Sequence, residues 1–249
     1  MITDFRPISL IHSFAKLISK VLAIRLSSQI DKLISISQSA FIKKRCIQDN
    51  FLYVRNLARA YHKNKTPTLL FKLDIAKEFD SVSWEYLLEL MEKRGFSVKW
   101  RNWIALILSS SSSSVMINGV PGPFFHHERG LRQGDPLSPY LFILAIDTLH
   151  RLFDLATEEG ELTELRGRHA SIRLSLYADD AALFLNPRKE EVDITLEILE
   201  HFGAATGLEL TWLRARWRRS VVLNLICRLS FQIFQERGLI FHYPTWASP

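Results

Sequence analysis

Three aspartates carry the strongest chemical signal in this sequence. Asp179 and Asp180 are adjacent and lie between two apolar runs, residues 172–176 and 181–185, which predict a hairpin with the acidic pair at its tight turn. Adjacent carboxylates repel each other and lose hydration on burial, so folding alone would not place them between two core strands. A divalent cation removes this conflict, because Mg²⁺ prefers hard oxygen ligands. The alternative is a solvated Asp-Asp turn.

The third aspartate, Asp74, follows a predicted strand. Pro67 opens the run, residues 69–73 are strand-like, and Asp74 comes directly after them. Carboxylates at the end of one strand and on a neighbouring hairpin can converge on one point. There they would suit two divalent cations about 3.5–4 Å apart, which stabilise the attacking and leaving oxygens of an in-line phosphoryl displacement. The three aspartates therefore predict a two-metal site.

Two further segments could hold a phosphate-bearing substrate beside these carboxylates. Residues 129–139 contain two glycines and two prolines, so their backbone can approach a substrate closely, and Gln133 could touch a base or a sugar. An ordinary surface turn is the alternative for this loop. Residues 43–45 are three consecutive cations, and Arg45 with its neighbouring lysines could hold a triphosphate or a phosphodiester.

The remaining pattern predicts the elements that position these residues. Ser83 is a plausible helix N-cap, Gly95 ends the same helix, and Asn118-Gly119 predicts the turn of a two-stranded ribbon. The serine run 109–114 is interpreted as a flexible loop or a strand edge. This mixture of elements is typical of an α+β sheet covered on one face by helices. Helical periodicity covers residues 14–26, 84–94, 100–108, 141–156 and 190–202, and a further helix ends near residue 62.

Composition narrows the class of protein without naming a function. With 249 residues, 47% hydrophobic and 23% charged, the chain can form one large globular domain or two small ones. The net charge of +6 hints at a polyanionic partner, although residues 209–249 alone hold six Arg against two Glu. Cys46 and Cys227 form neither a metal spacing nor a disulfide framework, which favours a reducing compartment. We find no signal peptide or transmembrane segment, so we expect an intracellular protein, without choosing between cytoplasm and nucleus.

Five ordered motifs resemble the reverse transcriptase domain of a plant non-LTR (LINE-type) retrotransposon. The resemblance implies an α+β fold: a right-hand polymerase palm, with a ferredoxin-like antiparallel sheet and helices on one face, plus partial, mostly helical fingers. It places the fingers at 1–66 and the palm at 67–208, and for residues 209–249, where the pattern stops, we expect an aberrant, disordered tail. The motifs are residues 5–10 and 38–41 in the fingers, and 73–80, 132–139 and 177–180 in the palm.

The resemblance also implies roles and partners. Asp74 and Asp179 would be the principal ligands of two Mg²⁺ ions, and Asp180 an auxiliary one. Phe79 would be the steric gate that disfavours a 2′-hydroxyl, with a core aromatic as the alternative. The partners would be an RNA template, a DNA primer and deoxynucleoside triphosphates. The residues that would contact the template or nucleotide are Gln133, Gly134 and, at the incoming triphosphate, Arg45.

Some features depart from the family pattern. Glu78 stands where the family usually has a small residue, and Lys44 stands where it has a glycine. Glu78 adds negative charge near the predicted metal site, and Lys44 loses backbone freedom in a nucleotide-contacting loop. We also expect a truncated domain without endonuclease, thumb or RNase H. The alternative function is therefore a catalytically inactive remnant that at most binds nucleic acid.

The family pattern stops after Leu208. Family members typically continue Gly-Leu-Arg-Thr-Asn-Leu-Ala-Lys-Ser-Ser-Val, in which the lysine is thought to protonate the leaving pyrophosphate. Plausible codons for this stretch, read one base late, translate as the nine residues found at 209–217, and the same shift on Tyr-Leu-Gly-Leu-Pro yields residues 245–248. We therefore hypothesise that residues 209–249 are a frameshifted translation. The alternative is a basic arm with interleaved aromatics that binds nucleic acid.

Overall fold

The structure is a computed structural model that describes residues 11–167 and 170–213. Its helices and strands confirm the predicted order of elements. The helices are α1 (Ser13–Ser27), α2 (Ile30–Leu33), α3 (Ile47–Lys63), α4 (Trp84–Lys93), α5 (Val98–Ser109), α6 (Ser138–Glu158) and α7 (Lys189–Thr206). The strands are β1 (Leu69–Ala76), β2 (Ser112–Ser113), β3 (Met116–Ile117), β4 (Val120–Pro121), β5 (Phe125–His126), β6 (Leu174–Tyr177), β7 (Asp180–Leu185) and β8 (Glu209–Leu213).

Local signals fix the ends of α4. The Ser83 hydroxyl accepts a hydrogen bond from the backbone N–H of Tyr86 at 3.3 Å, which satisfies a donor that the first turn leaves open. Gly95 follows the helix with φ +79°, a left-handed conformation that suits glycine because it has no Cβ. Both predictions of helix boundaries are confirmed.

A four-stranded antiparallel sheet forms the centre of the fold, with strand order β6-β7-β1-β8. In the β1–β7 ladder, Leu69 pairs with Leu185 and Leu73 pairs with Ala181. The strands β6 and β7 form the predicted hairpin, in which Tyr177 pairs with Asp180 across a two-residue turn. The acidic pair therefore lies at the turn, as predicted.

The two faces of this sheet differ in what covers them. Alternate residues of β1, such as Leu73 and Ile75, point to one face, where they join the main core built with α4, α6 and α7. On the opposite face, Leu70 and Phe184 pack beneath α3 in a smaller cluster that includes Tyr61. Helix α3 thus covers one end of the second face.

The predicted ribbon is present as two short strand pairs. Strands β3 and β4 are joined by Asn118 and Gly119, whose φ values of +50° and +82° are typical of a tight hairpin turn. Within the serine run, Ser112 and Ser113 form β2 and pair with β5, which agrees with the interpretation as a strand edge.

Strand β8 lies beyond the predicted end of the palm at residue 208. Its residues, Glu209–Leu213, pair with β1 at the sheet edge, although the sequence analysis assigned them to a disordered tail. Strand pairing uses main-chain groups, and Leu, Thr and Trp suit a strand, so this segment can extend the sheet whatever its origin. The rest of the predicted tail, residues 214–249, lies outside the described residues. Among the described helices, none has the length and apolar character needed to cross a bilayer.

Candidate active site

The register of the sheet brings Asp74 and Asp180 together. Leu73 pairs with Ala181, so the next position of the same register sets Asp74 of β1 against Asp180 of β7. Opposed residues in an antiparallel pair point to the same face, with Cβ atoms about 4.5–5.5 Å apart. Asp179 precedes Asp180 at the hairpin turn. The fold therefore places Asp74 and Asp180 at one end of the face that α3 covers at its other end, with Asp179 at the adjoining turn.

A lysine that the sequence analysis missed lies beside them. Lys72 is two residues before Asp74 in β1 and therefore shares its face, and its Nζ is 3.7 Å from Asp180 Oδ1. Both side chains are largely shielded, with 14% and 23% exposed. The ammonium thus offsets part of the repulsion among the aspartates. The alternation of residues along β1 could have placed Lys72 on the same face as Asp74, but not beside Asp180.

The donor set suits Mg²⁺ in its chemistry, because all three side chains offer carboxylate oxygens. In the described part of the chain, however, no three His, Cys, Asp or Glu side chains are grouped closely enough to hold a metal ion. The positions of the three aspartates on the sheet suit a metal site. Their side chains, however, are not close enough together to form a set of metal ligands.

The Gly/Pro loop lies against the turn that follows β1. Gly130 has φ +87°, its N–H donates to the Val82 carbonyl at 2.8 Å, and its carbonyl accepts from Trp84 Nε1 at 2.6 Å. A Cβ on Gly130 would lie 2.6 Å from the Asp80 carbonyl oxygen. The two palm segments are therefore in direct backbone contact, and glycine is what permits it.

Asp135 fixes the next part of this loop. It is 4% exposed, and its carboxylate accepts hydrogen bonds from the Leu137 N–H at 2.8 Å and from the buried Ser19 hydroxyl of α1 at 2.9 Å. Gln133 and Gly134 precede it, half-buried and exposed respectively, and Gly134 has φ +90°. The loop is thus bound to α1 through Ser19 and to the turn after β1 through Gly130.

Comparison with known proteins decides the family. A family model described as "Reverse transcriptase (RNA-dependent DNA polymerase)" matches residues 2–215, most of the chain. This chain belongs to that family. The match ends at residue 215, inside the segment 209–249 for which a shifted reading frame is predicted.

The reverse transcriptase domain is similar to non-LTR retrotransposon proteins. It is 29% identical over 216 residues to the transposon TX1 uncharacterized 149 kDa protein of Xenopus laevis, covering 85% of this chain and 16% of that protein. It is 30% identical over 207 residues to the Pol polyprotein from the type-2 retrotransposable element R2DM of Drosophila melanogaster, covering 83% of this chain and 19% of that one. The chain thus spans less than a fifth of the length of these relatives.

A solved structure supports the fold. The domain superimposes on telomerase from Candida albicans, solved in complex with a fragment of telomeric RNA, with TM-score 0.54 at 14% identity, over 80% of this chain and 35% of that one. At this identity the likeness concerns the fold, and it confirms the α+β polymerase palm.

The other predicted contact residues of the reverse transcriptase domain lie on the fingers and beside the core. Arg45 donates to the carbonyls of Ser35 (2.5 Å) and Gln38 (2.7 Å) and pairs with Asp31 at 2.7 Å. Phe79 is half-buried, and its ring stacks on Phe142 of α6 with centroids 5.1 Å apart. Arg45 thus braces the fingers loop, and a role at a triphosphate stays a prediction, as does the steric gate.

The two departures from the family pattern have structural counterparts. Lys44 has φ +70°, so the loop needs a left-handed residue where the family has glycine. Glu78 is 7% exposed in the turn between β1 and α4. The glycine preference at position 44 therefore has a backbone cause, and Glu78 is a buried carboxylate in the turn that follows β1.

Charge is segregated between the two parts of the domain. Residues 11–66 hold eleven Lys and Arg against two Asp, whereas residues 138–208 hold six Lys and Arg against thirteen Asp and Glu. The small net charge before the tail conceals this asymmetry. Residues 11–66 therefore carry a positive field and residues 138–208 a negative one.

Proposed function

We propose that this reverse transcriptase domain catalyses RNA-directed DNA synthesis, in which a primer 3′-hydroxyl attacks the α-phosphate of a deoxynucleoside triphosphate. The observation that carries the proposal is the pairing of Leu73 with Ala181, since the same register sets the next residue, Asp74, against Asp180, with Asp179 at the adjoining turn. Adjacent carboxylates such as Asp179 and Asp180 lose stability through mutual repulsion, so a purely structural role does not account for the pair.

In this proposal Asp74 and Asp179 hold Mg²⁺, with Asp180 as an auxiliary ligand. Two such ions, when bound, stabilise the charge on the attacking and leaving oxygens. Lys72 pairs with Asp180 and offsets part of its negative charge. The aspartates thereby supply the negative field that concentrates divalent cations at the end of the sheet.

The remaining proposed roles concern substrates. The RNA template and DNA primer are held mainly by the basic fingers, because phosphate contacts position a nucleic acid without reading its sequence. Phe79 excludes the 2′-hydroxyl of a ribonucleotide and so favours deoxynucleotides. The template and nucleotide contacts are assigned to Arg45, Gln133 and Gly134.

Primer extension tests the proposal. The purified chain, an RNA template with an annealed DNA primer and Mg²⁺ should incorporate deoxynucleotides, and Asp179→Asn should reduce the rate by about 1,000-fold, since an ion of this kind contributes several kcal/mol. Asp193→Asn removes the same charge from an exposed position on α7 and should leave the rate unchanged. Equal rates for wild type and Asp179→Asn would contradict the assignment.

A second candidate function is an inactive remnant that binds nucleic acid. The Lys72–Asp180 ion pair favours it, because Asp180 already has a cationic partner where a metal would need its carboxylate. The same assay separates the two functions. No incorporation at high protein concentration, together with salt-sensitive binding of a primer–template duplex, would support the remnant.

A plant source and a shifted reading frame at 209–249 also belong to the proposal. They rest on the likeness of the motifs and on the codon pattern of the tail, which lies beyond Leu208. The nucleotide sequence tests the frameshift directly. If restoring one base near codon 209 fails to recover the family pattern, the idea is wrong.

A further inference from the structure

Gln38 connects the fingers to the turn that carries the catalytic aspartates. Its side chain is 0% exposed, and its Oε1 accepts hydrogen bonds from the backbone N–H of Ala178 at 3.0 Å and of Ala40 at 2.9 Å. Ala178 directly precedes Asp179. The contact therefore ends one residue from a proposed metal ligand, although 140 positions separate Gln38 from Ala178.

The backbone around Gln38 is itself bound to the hairpin. Gln38 forms a parallel bridge with Leu176, whose N–H donates to the Ser37 carbonyl at 2.8 Å and whose carbonyl accepts from the Ser39 N–H at 3.2 Å. Asn50 Nδ2 also donates to the Leu176 carbonyl, at 2.5 Å. Residues 37–39 therefore add a short strand-like segment to β6, which fixes the position of the Gln38 side chain.

The turn needs such support. Ala178 has φ +52°, a left-handed conformation that its Cβ disfavours, and it is 5% exposed. Strained backbone of this kind persists when the surrounding structure over-determines it. If the acceptor were removed, a buried N–H would be left unsatisfied and the turn could relax, which would redirect the Asp179 carboxylate.

We propose that Gln38 is a positioning residue, which holds the Ala178 turn in its left-handed conformation and thereby aims Asp179. The inference rests on the proposed polymerase function. Within residues 11–167 and 170–213, Gln38 Nε2 makes no hydrogen bond, so the acceptor oxygen provides the polar contacts of this side chain. A methionine at this position would keep the length of the side chain and remove the acceptor.

The first test separates kcat from KM. Gln38→Met should lower kcat in primer extension by about 10- to 100-fold, because small displacements of catalytic groups have effects of this size. The KM for deoxynucleotide should stay within about 2-fold, since the misplaced group acts on the chemical step. Ser39→Ala removes a neighbouring buried hydroxyl that has no hydrogen bond in the described residues, and it should behave as wild type.

Rescue distinguishes positioning from a loss of folding. Glycine adopts positive φ without a Cβ penalty, so Ala178→Gly added to Gln38→Met should restore most of the lost kcat. A double variant that stays as slow as Gln38→Met, with both melting well below wild type, would overturn the inference, because global destabilisation would then explain the loss.

Hydrogen–deuterium exchange gives a readout that needs no catalysis. The Ala178 amide should exchange faster in Gln38→Met than in wild type, and at the wild-type rate in Ser39→Ala. If wild type itself fails to extend a primer, the polymerase proposal fails, while exchange still decides whether Gln38 holds the turn. Unchanged protection of Ala178 in Gln38→Met overturns the inference.

Discussion

Gly130→Ala tests the contact between the two palm segments that frame the active site. Gly130 has φ +87°, and an added Cβ would lie 2.6 Å from the Asp80 carbonyl oxygen and 3.0 Å from its carbonyl carbon. Gly160 offers a matched control, since its φ of +81° is nearly the same and nothing lies within 4 Å of its added Cβ. The two substitutions therefore share backbone strain and differ in steric overlap.

The magnitudes follow from these two terms. A left-handed alanine costs about 1–2 kcal/mol, which both variants incur. Gly130→Ala adds an overlap with backbone, and such overpacking costs about 1–3 kcal/mol more. The loop cannot slide away freely, because Gly130 is held by its hydrogen bonds to Val82 and Trp84. We expect a total loss of about 2–5 kcal/mol for Gly130→Ala and about 1–2 kcal/mol for Gly160→Ala.

Urea unfolding of wild type and the two variants measures this difference. The midpoints should fall in the order wild type, Gly160→Ala, Gly130→Ala, with the slopes unchanged. At a temperature where all three are folded, only Gly130→Ala should also lose primer extension, since it displaces the segment that leads to Gln133. Equal free energies of unfolding for the two variants would show that the Asp80 contact is not tight and would refute the reasoning.

Two further substitutions have predictable effects on stability. Lys44→Gly should raise the free energy of unfolding by about 0.5–1 kcal/mol, because it relieves the strain of φ +70°. Lys43 lies outside the left-handed region, so Lys43→Gly should lower the free energy of unfolding. If the urea midpoint falls in both variants, the prediction is wrong. Burial raises the pKa of Tyr61 from 10 to about 12, with a smaller contribution from the nearby Tyr53. Arg173 opposes this shift but has a smaller effect. Tyr61 should therefore contribute a loss of stability as the pH rises from 10 to 12, about 1 kcal/mol at pH 11, and Tyr61→Phe should lack this contribution. Parallel pH profiles of the urea midpoint for the two proteins would refute it.

The features of the fold that depend on local signals could be predicted from the sequence. The hairpin at Asp179 and Asp180 follows from two strand patterns and a tight turn, and the end of α4 follows from the cap at Ser83 and the left-handed Gly95. These features depend on residues a few positions apart, so a single sequence contains the information that specifies them.

Contacts between distant segments could not be found in the same way. The bond from Gln38 to Ala178 and the pair of Lys72 with Asp180 depend on which strands become neighbours. The net charge of the chain also gave little information on how charge is distributed. The basic residues of 11–66 and the acidic residues of 138–208 nearly cancel in the sum. Strand β8 was missed because a segment with an atypical sequence can still complete a sheet through its backbone.

The strand order has a consequence for how the chain folds during synthesis. Strand β1 lies between β7 and β8, and both partners follow it by more than a hundred residues. While the ribosome makes the intervening segment, β1 presents two unpaired edges, a state that favours association with other chains. Pairing between strands so far apart in the sequence also predicts slow folding. A product that ended before β8 would keep one of these edges open, so it should aggregate more readily than the chain that reaches Leu213.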